Sequence, residues 1–135
     1  MLKTKFRNNG SVLLIAVFAI ALLSAVVIGL LQINTEEIQL MRNQVHGAQA
    51  MAVAEAGMSD AFAEIRSDNM WASGFVDKSF EGGSYTVLVT GTSPNLTITS
   101  TGTSAQGFVA KLEADVTLGG TAPYVIRIDS LRINE

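Results

Sequence analysis

The sequence predicts an α+β protein: a long N-terminal helix whose first half spans a membrane, and a C-terminal four-stranded antiparallel sheet packed on the second half of that helix. Three observations predict it. An uncharged apolar run covers Ser11 to Leu31, a proline-free stretch of helix formers continues it to Arg66, and from Tyr85 onward apolar residues return at every second position. Steps of three and four residues mark a helix with one buried face, and steps of two mark a half-buried strand.

The apolar run accounts for an unusual composition. Only 16% of the 135 residues are charged, against about 25% in an ordinary soluble domain. No charge falls between Arg7 and Glu36. At about 1.5 Å per residue the run is about 31 Å long as a helix, close to the roughly 30 Å hydrocarbon core of a bilayer. Residues 1–10 form a short leader with Lys3, Lys5 and Arg7 and no acid. Such a flank holds its end of a span in the cytoplasm and sends the rest outward. An ordinary secretory signal is the alternative, but its apolar region is about 7–15 residues long and ends at a small-x-small site. Here a site forced into Ala19 to Ser24 is followed by further apolar residues, Ala25 to Ile28.

From Gln32 to Arg66 the positions Ile38, Met41, Val45, Ala48, Met51, Ala54, Met58, Phe62 and Ile65 step by three or four, so one face is expected to be buried. Ser67, Asp68 and Asn69 end the helix. Residues 67–83 are read as a connecting segment in which Trp71, Phe75 and Phe80 seal the join. Residues 84–135 are read as the sheet. Its alternating runs lie around Tyr85–Thr90, Leu96–Thr99, Phe108–Leu118 and Tyr124–Ile133, separated by Ser93-Pro94-Asn95, Gly102 to Gly107 and Gly119 to Pro123. In the last run Leu131 and Ile133 change parity, which predicts a bulge near Ser130. The expected cover for the sheet is the Met58, Phe62, Ile65 face of the helix.

Several chemistries find no support. Cysteine is absent, which removes disulfides, thiolate nucleophiles and Cys-based zinc sites. The formal net charge is -3, and with the leader's three basic residues set aside the remainder holds 6 basic against 12 acidic residues. No basic cluster is left to replace counterions around phosphates, so nucleic acid is set aside as a partner. His46 is the lone histidine, so neither a multi-imidazole metal site nor a plausible triad forms, and a solvated helix histidine is expected. Asp77, Glu81 and Asp129 lack the spacing of a calcium loop. Glu36 and Glu37 read as a solvated interfacial pair. Glu55 lies beside the apolar stripe, within reach of Arg42 on a neighbouring helix or of its own Ser59. Asn95-Leu96-Thr97 reads as a turn. No catalytic residue, cofactor or metal is assigned, and an enzyme is not expected.

A basic leader ending in glycine, an apolar helix from the next residue, its amphipathic continuation and a C-terminal antiparallel sheet together resemble the type IV pilin and pseudopilin superfamily over the whole chain. Gly10 to Leu23 (GSVLLIAVFAIALL) and Ala54 to Met58 (AEAGM) are similar to PilX-type minor pilins and to the K-type minor pseudopilin of type II secretion. The strand segments GSYTVLVT and LTITSTG, the latter at Leu96 to Gly102, are similar to sheets of the same group.

The resemblance implies that prepilin peptidase cuts between Gly10 and Ser11 and that the new Ser11 amine is methylated. Glycine suits a cut because it lets a protease approach the backbone closely. For these two residues alone the other reading is a helix start with Ser11 as N-cap. Family leaders often carry a basic residue before the glycine, whereas here Asn8 and Asn9 follow Arg7. At the fifth mature position, where most major pilins place a glutamate that pairs with a neighbour's amine, this chain has Ile15. A carboxylate in the bilayer costs about 2.5–3.5 kcal/mol on insertion scales and is kept where a partner charge compensates it. Its absence favours a minor subunit, initiating or tip-proximal. Ile15 as one more lipid-facing residue of an ordinary anchor is the other reading.

The expected organisation is therefore a leader at 1–10, a helix at 11–66 with 11–31 as span or filament core, a connection at 67–83 and a sheet at 84–135. Ile15, Phe18 and Gly29 are the expected packing residues of the span. Expected partners are other pilin-like subunits in a hetero-oligomeric filament, prepilin peptidase, an inner-membrane assembly platform and the membrane itself. The expected location is the bacterial inner membrane, single pass with the N-terminus inside, and then a periplasmic or surface filament. A permanently anchored envelope protein whose sheet binds a partner is the alternative from another class.

Overall fold

The computed structural model describes residues 9–134, so residues 1–8 of the expected leader, with Lys3, Lys5 and Arg7, lie outside the described residues. One helix, α1 (Asn9–Ser67), precedes five strands: β1 (Phe75–Phe80), β2 (Gly83–Thr92), β3 (Asn95–Thr103), β4 (Val109–Leu118) and β5 (Ile126–Asn134). All neighbouring strands are antiparallel and the spatial order is β1-β2-β3-β4-β5. The chain divides into two units, Met1–Arg42 and Asn43–Glu135.

The α+β class and the antiparallel sheet are as expected, but the sheet has five strands and not four. The extra strand is β1, inside the segment expected to be a plain connection. Two features conceal it. Its pairing with β2 shifts register between Phe75 and Lys78, which breaks the alternation. Its turn to β2 is Glu81-Gly82, both at positive φ (48° and 81°), a two-residue hairpin of the type usually announced by Asn-Gly or Asp-Gly. The helix stops where Ser67, Asp68 and Asn69 predict: the Asp68 carboxylate accepts from Met70 N at 2.9 Å, and Trp71 N donates to Asp68 O at 3.1 Å. On β5, Ser130 pairs with Asp115 and Ile128 with Val116, so Asp129 is the extra residue of a bulge beside Ser130.

In the second unit the core lies between the last part of α1 and one face of the sheet. Val53, Met58 and Ile65 of α1 pack with Tyr85, Val87, Val89, Leu96, Ile98, Leu112, Val116 and Leu118. Trp71 and Phe75 pack against this cluster, as expected, while Phe80 is 41% exposed. The helix face is turned from the one the large apolar residues suggest. Ala50, Ala54, Gly57 and Ala61 are buried, whereas Met51 and Phe62 are half-buried. These small residues admit the sheet closely. A Cβ on Gly102 would strike the backbone of Ala54 and Ala50, and one on Gly57 would lie 2.5 Å from Ser100 Oγ and 2.8 Å from the Tyr85 ring. Ser100, fully buried, uses this proximity to donate to Ala54 O at 2.7 Å.

Candidate functional site

In the first unit the site is the apolar helix itself. Gly10 and Ser11 both lie inside α1, so Ser11 is a helical residue and not an N-cap. From Val12 to Ile33 the large apolar side chains are 53–71% exposed on every side of the helix. Ile15 and Phe18 are each 64% exposed. Gly29 lies in unbroken helix, with nothing within 4 Å of where a Cβ would stand. Two hydroxyls in this part of α1 bond back to the helix: Ser24 Oγ donates to Ile20 O at 2.8 Å and Thr35 Oγ1 to Leu31 O at 2.9 Å. Such back-bonding satisfies the hydroxyl within the helix itself. The helix is long and apolar enough to cross a membrane.

At about 1.5–3 kcal/mol for each large aliphatic side chain taken out of water, a run this long is strongly driven into lipid or against other apolar helices. Glu36 and Glu37, just beyond it, are exposed.

In the second unit, polar clusters serve structure. Lys78 Nζ donates to Asp60 Oδ2 at 2.6 Å, the Tyr85 hydroxyl donates to the same oxygen, and Lys78 stands 4.5 Å from the centre of the Phe75 ring. The Lys78 bond, then the Tyr85 bond, holds the Asp60 carboxyl below its ordinary range. Asp60 in turn raises Lys78, and burial followed by the Asp60 bond raises Tyr85. The trio fastens β1 and β2 to α1. On the outer face of the sheet, Asp115 accepts from Ser130 Oγ at 2.7 Å, Thr97 Oγ1 at 2.8 Å and Arg132 Nη2 at 2.9 Å. Those bonds, Ser130's first, lower its pKa, and Arg132 is raised chiefly by Glu113.

His46 is less solvated than expected: its ring centre is 5.4 Å from that of Phe108, and Nδ1 is 3.2 Å from Gln49 Oε1. Glu55 is exposed. Asp77 and Asp129 sit on β1 and β5, the opposite edges of the sheet, so a shared ion between them is ruled out by topology. Among the described residues no three His, Cys, Asp or Glu side chains gather as a metal would require.

One feature escapes the sequence signals. Ile128, Leu131 and Ile133 of β5 share the face of Val116, Ala114 and Leu112, which look onto α1, yet they are 50–56% exposed. Beside them Phe62, Arg66, Val125, Ile126 and Ile128 line a groove of about 300 Å³. Alternation identifies the strand, but not that its apolar face extends past the helix that covers the rest of the sheet.

Compared with family models, curated proteins and solved structures, the chain matches none.

Proposed function

We propose that this chain is a minor pilin-like, or pseudopilin, structural subunit of a type IV filament or type II secretion machine, initiating or tip-proximal in its place. The observation that carries the reading is a helix bare and apolar on all sides from Val12 to Ile33 that runs on as the same α1 whose later residues build the core of a small sheet domain. Exchanging lipid for the apolar flanks of similar helices costs little, because both are equally apolar. Such a helix therefore suits a subunit that first waits in the inner membrane and is then lifted by an assembly platform into a bundle. Prepilin peptidase cuts between Gly10 and Ser11 in this reading, and the Ser11 amine is methylated.

Ile15 supports the minor role. With no carboxylate there, the subunit does not need the amine of a subunit ahead of it, which fits the first position in a filament. The test is the N-terminal mass of the protein recovered from its native membrane. A chain beginning at Ser11 with one added methyl is the expected result. A chain beginning at Met1 overturns the filament reading and leaves an anchored envelope protein with a partner-binding sheet.

A further inference from the structure

We infer that the apolar overhang of β5 is a binding site for a long-chain fatty acid, its carboxylate held by Arg66 and its chain laid along Ile128, Leu131 and Ile133. The inner face of the sheet changes abruptly between two neighbouring strands. Every inward residue of β4, from Ala110 to Leu118, is buried, whereas Ile128, Leu131 and Ile133 on the same face of β5 are 50–56% exposed. Such a row gains from any apolar cover. The groove of about 300 Å³ formed by Phe62, Arg66, Val125, Ile126 and Ile128 joins the row at Ile128, and groove and row both lie in the second unit.

The chemistry of the lining selects the occupant. The groove residues are apolar except for one guanidinium. Lys78, Lys111, Arg127 and Arg132 of the same unit are each paired with a carboxylate, whereas Arg66 has no ion-pair partner among the described residues. A matching occupant carries one anionic group at one end and nothing polar after it. A peptide laid on this face fails the requirement, because each of its residues brings an N–H and a C=O that isoleucine and leucine side chains cannot satisfy. A carboxylate fits the planar fork of a guanidinium with two hydrogen bonds. Length then sets the tail. With Asp129 bulged out, the row from Ile126 to Ile133 is about 20 Å long at about 3.3 Å per residue. An acyl chain that fills one leaflet of a roughly 30 Å hydrocarbon core is about 15 Å long. The groove is at the lower end of the roughly 300–1,000 Å³ of ligand sites, so it takes one chain and not the paired chains of a phospholipid. Arg66 also sits in the last turn of α1, where a cation is favourable in its own right, so the test must separate the two roles. The site is the same in an assembled subunit and in a permanently anchored protein, and so stands apart from the function proposed above.

The probe is hexadecanoic acid carrying a diazirine on its chain, irradiated at pH 8 with the full-length protein in phosphatidylcholine nanodiscs, and the labelled residues are mapped by mass spectrometry. The apolar span, labelled through the bilayer, is the internal standard. Label on β5 is expected to saturate and to be displaced by plain hexadecanoate but not by hexadecanol, which keeps the chain and lacks the charge. Arg66→Gln should lower the β5 label about tenfold, the scale of a hydrogen bond to a charged group, and leave the label on the span unchanged. Arg127→Gln, on the outer face, should change neither. A diazirine-bearing hexadecylamine should show the reverse order, labelling β5 of Arg66→Glu above the parent. A weakened helix end or a misfolded sheet does not produce that gain. A β5 face left unlabelled, as when another protein covers it, equal displacement by hexadecanol, a label indifferent to Arg66→Gln, or no preference of the amine for Arg66→Glu would each overturn the inference.

Discussion

The tightest contact in the sheet unit makes the sharpest test: Gly102→Ala adds a single methyl where the helix backbone leaves no room. At Gly102 the nearest atoms are Ala54 N and Ala50 O, both main-chain atoms of α1, so no side chain can swing aside. The helix must lift, and lifting it also stretches the 2.7 Å bond from Ser100 Oγ to Ala54 O and opens the layer around Ile98 and Ile65. Overpacking of this kind costs about 1–3 kcal/mol, and the upper half of that range applies because the obstacle is backbone. At about 4–8 °C per kcal/mol for a domain of this size, the midpoint should fall by about 10–20 °C. The assay is thermal unfolding of the full chain in detergent, followed by near-ultraviolet circular dichroism from Trp71 and Tyr85. Gly120→Ala is the control, since Gly120 is exposed with nothing within 4 Å, and should stay within about 0.5 kcal/mol of the parent. Equal midpoints for the two variants would refute the close-packed helix and sheet.

Three further outcomes follow from the same surfaces. Gly47→Ala, in helix and with nothing within 4 Å, should stabilise the chain by about 0.4–1 kcal/mol through the unfolded state, read as a higher midpoint in the same melt. Because the Asp60 carboxyl is held below its ordinary 3.8 by Lys78 and then Tyr85, its contribution is complete above that value and lost as pH falls through the lower folded value. Asp60→Asn should therefore melt below the parent at pH 7 and converge on it in acid, and a gap that persists at the lowest pH would contradict the assignment. Ile15→Glu puts a carboxylate in the bare helix at an insertion cost of about 2.5–3.5 kcal/mol, so the membrane-integrated fraction should drop, as measured by carbonate extraction.

What could be read from the sequence depends on whether large or small residues carry a contact. The long helix and the strands β2 to β5 are legible because Val, Leu and Ile mark the period, and even the Asp129 bulge shows as a change of parity at Leu131 and Ile133. Strand β1 is not legible because its own register shift and a Glu81-Gly82 turn remove both signals. The buried helix face is legible only in part. Met58 and Ile65 announce it, but Ala50, Gly57 and Ala61 carry little hydrophobic weight, and their value lies in how near they let β3 come. The Asp60, Lys78, Tyr85 clasp joins residues 18 and 25 apart, beyond any local pattern.

The contrast within α1 carries the functional reasoning a step further. Where the helix meets its own sheet it presents alanine and glycine beside a few larger residues, Val53, Met58 and Ile65, and most of the large side chains come from the strands. Where it has no sheet, from Val12 to Ile33, it presents Val, Leu, Ile and Phe all round. Small residues suit a partner whose position is fixed by covalent connection, since close approach is gained only when the fit is unique. Large, evenly distributed aliphatics suit surroundings that change, because van der Waals contact with lipid tails or with another apolar helix is nearly the same from any direction. A helix meant to stay with one partner in the membrane would be expected to carry small residues on one side of the span as well. This span does carry such a row: Ala21, Ala25 and Gly29 are spaced by four and share one side of the helix, while Ala16 and Ala19 fall on another. That row would let another helix approach the span closely, while the large aliphatics on the remaining sides suit lipid.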